Sequence, residues 1–418
     1  MLGERIRKLR KQKKMTLEEL AGKSLTKGML SLIENNKANP SIESLHYIAE
    51  RLGVEVSDLL EEISLQELRK TLEKAEELYN FENLCETENQ LIKTEQDKEI
   101  IDLIKPYIAN LTQGYESARL LDIYSRCLYN EKIEGWQKFS GQAAEIYDQM
   151  NLTSKRASIS VFLATEKFIE HHYEEALTIF LNDRAKIEAK HVYIDPKTRL
   201  DLDYYEAILY FAVGDSESAT QVMDSAIAFS KENRIFYLID DLYRLAAAQA
   251  MMGKNKEKKI HYLLKLKQYG EFADDTNSIL FYHFMMIESL ISEKHEYTEA
   301  IEKIDQCLTD PSMTETFKHY FNLEKGKALY RLARYKEALH CLEKIEIPPF
   351  IHHPFDLSHF FIMDTYKALC HLELEKVDEA FQFAEIAYNH FYQLPSTPFK
   401  DFAIETFEAI KKTRLAEE

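Results

Sequence analysis

A helical unit recurs along most of this chain at intervals near 40 residues, and that recurrence limits the possible folds more than any other feature. The clearest copy, YFNLEKGKALYRLARYKEALHCL, starts at Tyr320. It reads as a helix, a turn and a second helix. Gly326 lets the pair approach, Tyr335 plugs the turn and Ala338 marks the crossing. Equivalent crossing positions are Ala176, Ala219, Lys258, Ala300 and Ala380, giving successive spacings of 43, 39, 42, 38 and 42 residues through Ala338. A two-helix unit cannot bury its apolar stripe alone, so such units stack. Only 11 Gly and 9 Pro are available to interrupt helices, and the expected fold class is all-α. Weaker copies over 80–111 and 118–150, the latter holding Trp136, bring the expectation to seven to nine repeats, with a terminal capping helix near 401–414.

The net charge of −18 conceals an uneven distribution. Residues 1–40 hold ten Lys/Arg against four Glu, a net of +6, so the remainder carries −24. A basic head on an acidic body is what a protein needs when one end meets phosphates. The basic start contains no apolar signal run, and no stretch of 18 apolar residues follows, which sets the expectation of a cytoplasmic protein with no membrane contact. Five cysteines, Cys85, Cys127, Cys307, Cys341 and Cys370, lack CxxC spacing and read as reduced packing residues.

The head divides into short helices by local signals. Ile6 and Leu9 mark a first amphipathic helix. Thr16 with Glu19 forms a capping box opening a helix over 17–21. Thr26 caps a third over 27–34, and the polar loop ending at Pro40 stops it. Ser41 caps a fourth carrying Leu45, Ile48, Ala49 and Leu52, which Gly53 ends, while Val56, Leu59 and Leu60 close the small core.

These segments, IRKLRKQKKMTLEELAGKS and SLIENNKANPSIESLHYIAERLGV, resemble the XRE family of lambda-repressor-like helix-turn-helix domains over residues 2–60. The resemblance implies that the third helix enters the major groove of a double-stranded DNA operator. It would carry Lys27, Gly28 and Ser31 to base edges and Met29 or Leu32 to thymine methyls. Arg7, Asn36, Lys37 and Asn39 would lie near phosphates. The turn before the third helix is one residue shorter than the common pattern, and Gly28 stands where relatives often carry a base reader. Arg10 and Glu34 match an internal family ion pair. A single head reads few base pairs, so a palindromic operator and a homodimer or homotetramer are expected.

Between head and body, Leu65, Leu68, Leu72, Ala75 and Tyr79 form a two-heptad seam. Either it pairs two chains as a coiled coil, or it is the first helix of the stack packing on its neighbour. The expected division is residues 1–62 for DNA, 63–80 as a linker helix and 81–418 for peptide binding and oligomerisation.

The body units are similar to lengthened tetratricopeptide repeats, which wind into a right-handed superhelix. Together with the head they give a layout resembling the RRNPP family of quorum-sensing regulators, nearest in plan to its NprR- and PlcR-like members. That resemblance implies a short oligopeptide pheromone in the concave face. Asn322 stands where the family places a peptide-holding asparagine. Counting from the crossing residues, Asp201, Tyr204, Tyr243, Tyr282, Tyr320 and Lys327 should face the groove, and Arg126, Arg199 and Arg244 could pair with a peptide carboxylate. Two alternatives stay open: a Rap-like module gripping a response regulator of the sporulation phosphorelay, and a peptide-independent repressor. His352, His353 and His359 lack metal-ligand spacing and fall beside an inter-repeat loop marked by Pro348, Pro349 and Pro354. No phosphate loop, dinucleotide fingerprint or nucleophile elbow occurs, so neither enzyme, cofactor nor metal is expected.

Overall fold

A computed structural model describes residues 2–56, 59, 65–84 and 90–417, with the side chains of 81–84, 90–94 and 417 excepted. Leu60, placed in the head core above, and Cys85 lie outside the described residues. Every regular element among the described residues is helical, and none is long and apolar enough to cross a membrane. Two compact units form, Met1–Ile159 and Ser160–Glu418, so the division falls inside the segment 81–418.

The first unit begins with α1 (Leu2–Gln12), α2 (Leu17–Ala21), α3 (Lys27–Glu34) and α4 (Ile42–Leu52). The expected caps form: Thr16 and Glu19 bond reciprocally, Thr26 accepts from the Met29 N–H, and Ser41 accepts from the Ser44 N–H. Each supplies an acceptor to an N–H that the helix leaves without a partner. Gly53 ends α4 in the left-handed conformation, at φ 57°. Ile6, Leu20, Leu30, Ile33, Ile48, Leu52 and Leu59 pack as one buried core.

Gly3 matters in a way that its place near the start of the sequence does not signal. A Cβ there would stand 2.0 Å from the Ile33 carbonyl oxygen, so only glycine lets α1 meet the end of α3. Asn36 completes that junction: its Oδ1 accepts from the Gly3 N–H at 2.9 Å.

The connector is helix α5 (Leu65–Leu84). Leu68, Leu72 and Ala75 are buried against α6 (Gln90–Ile104) and α7 (Gly114–Asn130) of the same chain. The seam is therefore filled intramolecularly, as the first helix of the stack. Arg119 of α7 bonds Glu76 at 3.0 Å and lies 5.6 Å over the Tyr79 ring. The unit continues through α8 (Trp136–Gln149) into α9 (Thr153–Ile169).

The second unit is built of antiparallel helix pairs. After α9, the series runs α10 (Tyr173–Lys190), α11 (Pro196–Ala212), α12 (Ser216–Asn233), α13 (Ile239–Met252), α14 (Lys256–Ala273) and α15 (Thr276–Ser289). It continues with α16 (Tyr297–Leu308), α17 (Glu315–Arg331), α18 (Tyr335–Leu342), α19 (Pro354–Glu373), α20 (Val377–Tyr392) and α21 (Pro398–Glu417). A strict turn rule emerges. The second helices α10, α12, α14, α16, α18 and α20 each start two residues after a left-handed residue: His171, Gly214, Lys254, His295, Ala333 and Glu375. Five residues beyond each lies the buried crossing position, Ala176, Ala219, Lys259, Ala300, Ala338 and Ala380. The third crossing residue is thus Lys259 and not Lys258, which is exposed. Gly326 is needed where expected, since a Cβ would meet the Leu342 side chain at 2.5 Å.

One segment departs from the neighbour-on-neighbour plan. Residues 343–353 leave α18 and cross back to the start of the unit, where the Tyr173 hydroxyl donates to the His352 carbonyl at 2.8 Å. The His353 ring packs 4.9 Å from Phe211 and 6.1 Å from Phe168, centre to centre. This strap joins residues 179 positions apart.

Candidate functional site

The head presents α3 edge-on. Leu30, Ile33 and Glu34 turn into the core, while Lys27, Gly28, Met29 and Leu32 are exposed and Ser31 is half-buried. Leu32 is 46% and Met29 40% exposed, so α3 offers apolar as well as polar side chains to solvent. A Cβ at Gly28 would touch nothing within 4 Å, so this position gives open access to the helix start. Lys27 reaches Glu18 at 2.9 Å with both side chains well exposed, and such a pair is weak enough to exchange for a phosphate. Arg7, Lys37 and Asn39 are exposed as well. Asn36 is exposed too; its carboxamide oxygen accepts from the Gly3 N–H across the α1–α3 junction, and its amide N–H2 is the side that could donate to a phosphate.

Beneath this face, Arg10 and Glu34 form a two-point pair, Nε to Oε1 at 2.6 Å and Nη2 to Oε2 at 2.8 Å. The Glu34 hydrogen bond raises the arginine above its ordinary range. Arg10 Nη1 also donates to the Met15 carbonyl at 2.8 Å, so one guanidinium fixes α3 and the turn before α2. The α2–α3 turn is held from α4: Tyr47 Oη accepts from the Lys23 N–H at 3.1 Å, and Arg51 Nε donates to the Glu19 carbonyl at 3.1 Å.

A compact helix bundle whose second and third helices meet at a tight turn, with the third laid open to solvent, defines a helix-turn-helix domain. Residues 6–59 match the helix-turn-helix family model. The immunity repressor protein of Bacillus phage phi105 is 33% identical over 98 residues, an alignment covering 18% of this chain and 68% of the repressor. The HTH-type transcriptional regulator SinR of Bacillus subtilis is 45% identical over 64 residues, 15% of this chain and 58% of SinR. The chain belongs to the helix-turn-helix family of transcription regulators. Among solved structures, Bacillus thuringiensis PlcR in complex with the peptide PapR7 and DNA is 16% identical at a TM-score of 0.32, covering 65% of this chain and 95% of PlcR. The apo competence regulator ComR of Streptococcus vestibularis is 16% identical at 0.31, covering 81% of this chain and 97% of ComR.

The second unit holds a cavity of about 490 Å3, within the roughly 300–1,000 Å3 of small-ligand pockets. Its walls come from the first helix of successive pairs: Thr165, Phe168 and Ile169 on α9; Tyr204, Tyr205, Ile208 and Phe211 on α11; Asp241, Arg244, Leu245 and Ala248 on α13. Phe281 and Phe284 on α15, Phe317 and Tyr320 on α17, and Phe355 and Asp356 on α19 continue the wall, and the strap residues Phe350, Ile351, His352 and His353 complete it. Tyr320 donates to Asp356 at 3.1 Å, and Arg244 holds Asp240 at 2.6 Å and Asp241 at 2.7 Å.

Of the ten residues expected to hold a peptide, the structure brings Tyr204, Arg244 and Tyr320 to this cavity. Tyr243 is buried in the neighbouring core against Tyr262, and Tyr282 stacks under Lys267. Each is a step of one residue from the lining row, which rotates a side chain by about 100°. Asn322 is half-buried outside the wall. Asp201 accepts from Tyr237 at 2.6 Å, and Arg199 lies 4.5 Å over the Phe229 ring. Arg126, in the first unit, bonds Asp122 at 2.7 Å.

Lys327 is a correction: it is buried and donates to Glu324 Oε1 at 2.8 Å, where His359 Nε2 also bonds at 2.9 Å. This cluster lies behind the cavity wall, with the His359 ring 5.8 Å from Tyr320. Burial pushes the Glu324 carboxyl up, yet the Lys327 ammonium and the His359 bond outweigh it and hold it at about 2, against 4.5 when free. A depressed carboxyl contributes stability above its free value and loses it as pH falls toward the folded one. The acid limb of unfolding between pH 4.5 and 2 should therefore flatten in Glu324→Gln, relative to the parent chain. An unchanged slope would remove Glu324 from the acid transition. Among the described residues no group of three or more His, Cys, Asp or Glu side chains is gathered closely enough to hold a metal ion.

Proposed function

We propose that this chain is a peptide-responsive transcription regulator. Residues 1–62 bind a palindromic operator, 63–80 link, and 81–418 take a short signalling peptide and set the assembly of homodimers or homotetramers in the cytoplasm. The observation carrying the DNA half is the face of α3, which turns Lys27, Gly28, Met29 and Leu32 outward on a clamped scaffold. Basic residues at its rim supply the charge that gives affinity for phosphates, and the helix supplies the base contacts that give sequence preference. The peptide half is supported by the aromatic cavity, built by first helices as a stack of helical pairs would build a groove.

Selection of binding duplexes from random DNA by the full chain should return two half-sites about one helical turn, or a multiple of it, apart. The double variant Lys27→Glu, Lys37→Glu should bind the selected duplex at least tenfold more weakly. The salt slope should also shrink, by about 0.9 for every phosphate that the variant leaves unneutralised. Unchanged affinity at equal salt would place the DNA face elsewhere.

A further inference from the structure

The cavity in the second unit is unbalanced in charge. Its lining contains two carboxylates, Asp241 and Asp356, and one guanidinium, Arg244. Its Nη2 is shared between Asp240 and Asp241, while its buried Nε has no partner among the described residues and is a donor left for an uncharged carbonyl oxygen of a ligand. Among the described residues, Asp356 forms no ion pair and has the Tyr320 hydroxyl as its hydrogen-bond donor. The neighbouring basic group, His359, turns its Nε2 to Glu324. His353, also in the wall, stays neutral near pH 7 because burial pushes its ring down to about 4. Burial raises the Asp356 carboxyl to about 6, against the pull of Tyr320 and His359, and raises Asp241 against the pull of Arg244. Asp356 is thus half-buried with no cation paired to it, and Asp241, also half-buried, shares its one cation with Asp240; removing a carboxylate from water without a full counter-charge is costly.

The remaining wall points the same way. Phe168, Phe211, Phe281, Phe284, Phe317 and Phe355 surround the space, and aromatic faces attract cations while shunning anions. We propose that this cavity selects a ligand with a positive charge beside a bulky apolar group: a peptide whose terminal ammonium, lysine or arginine meets Asp356 and Asp241 while an aromatic or branched side chain fills the phenylalanine-lined space. The assignment of a peptide rests on the proposed function. The preference for a cation rests on the cavity itself and holds for a small amine too.

The test uses the full chain and two probe sets. A random heptapeptide library is passed over the immobilised protein and the retained sequences are read by mass spectrometry. In parallel, 2-phenylethylamine and 3-phenylpropionate are titrated by calorimetry. Retained peptides should be enriched in a positive charge next to a large apolar residue, and the amine should bind in preference to the carboxylate. Acetylating the amino terminus, or replacing lysine by norleucine, tells which cation is held. The double variant Asp241→Asn, Asp356→Asn should bind the cationic peptides about tenfold more weakly, the size of one missing charge-assisted bond, and neutral peptides as before. Binding of the amine without any peptide would remove the peptide reading and leave the charge preference standing. Equal retention of acidic or neutral peptides, cationic binding undiminished in the double variant, or binding of neither peptide nor amine would overturn it.

Discussion

Glu34→Ala is expected to abolish DNA binding by unfolding the head within an otherwise folded chain. The substitution removes both acceptors of the Arg10 fork and leaves a guanidinium that is only 11% exposed without its counter-charge. Breaking a buried pair from one side costs about 3–5 kcal/mol, a large part of what a domain this small possesses. The loss is structural as well as electrostatic, because the same arginine also holds the Met15 carbonyl and so the turn before α2. Hydrogen exchange of the full-length chain would read it directly, as reduced protection in α1, α3 and α4 while the second unit keeps its own. Protection within about 1 kcal/mol of the parent chain would show that the pair is not the clamp. Glu34→Gln, which keeps one acceptor, should fall between the two.

The second large effect runs against the repeat pattern. Alanine occupies five of the six crossing positions in the second unit, at Ala176, Ala219, Ala300, Ala338 and Ala380, and Lys259 holds the other. A repeat consensus would place alanine there, with a gain in stability expected. The structure predicts a loss of about 3–5 kcal/mol for Lys259→Ala. The lysine is 3% exposed, donates to Ser289 Oγ at 2.8 Å, bonds Glu293 and lies 3.7 Å from Glu288. Removing it would leave the buried Glu288 facing a cavity. Glu293 would keep Lys256 at 3.1 Å. The short π-helical turn Leu290–Lys294 carries Glu293, an irregularity of the sort that often serves a local task. Urea unfolding of the full chain should show a lower midpoint for Lys259→Ala and partial recovery in Lys259→Ala, Glu288→Gln. A midpoint equal to or above that of the parent would refute the account.

These two residues also mark where sequence reading works and where it stops. Thr16, Glu19, Thr26 and Ser41 were legible because a cap is a bond between residues three apart, so the letters alone contain it. The alanine crossings were legible for the same reason: a small residue at a fixed offset in a helix is a local pattern. Lys259 was not, because KNKEKK offers lysines at 254, 256, 258 and 259, and the choice among them is made by carboxylates some 30 residues away. Nor could the turn rule be read, since His171, Lys254, Ala333 and Glu375 share a left-handed backbone and no chemistry. The bond from the Gly3 N–H to the Asn36 oxygen joins residues 33 apart, so no local pattern contains it. In the cavity, Tyr204, Arg244 and Tyr320 were found by counting along helices, whereas Tyr243 and Tyr282 missed by a single step. Asp356 and the phenylalanines were missed altogether, because the strap and α19 bring them there across the unit.

The tie between Tyr173 and His352 changes how the second unit can come apart. An array whose members touch only adjacent members behaves as a one-dimensional chain of coupled switches, free to fray from either tip. Here a latch near position 352 engages the opening helices, so the intervening pairs belong to a closed circuit and cannot loosen singly without straining it. Melting of this half of the protein should then be a concerted event instead of a progressive unzipping.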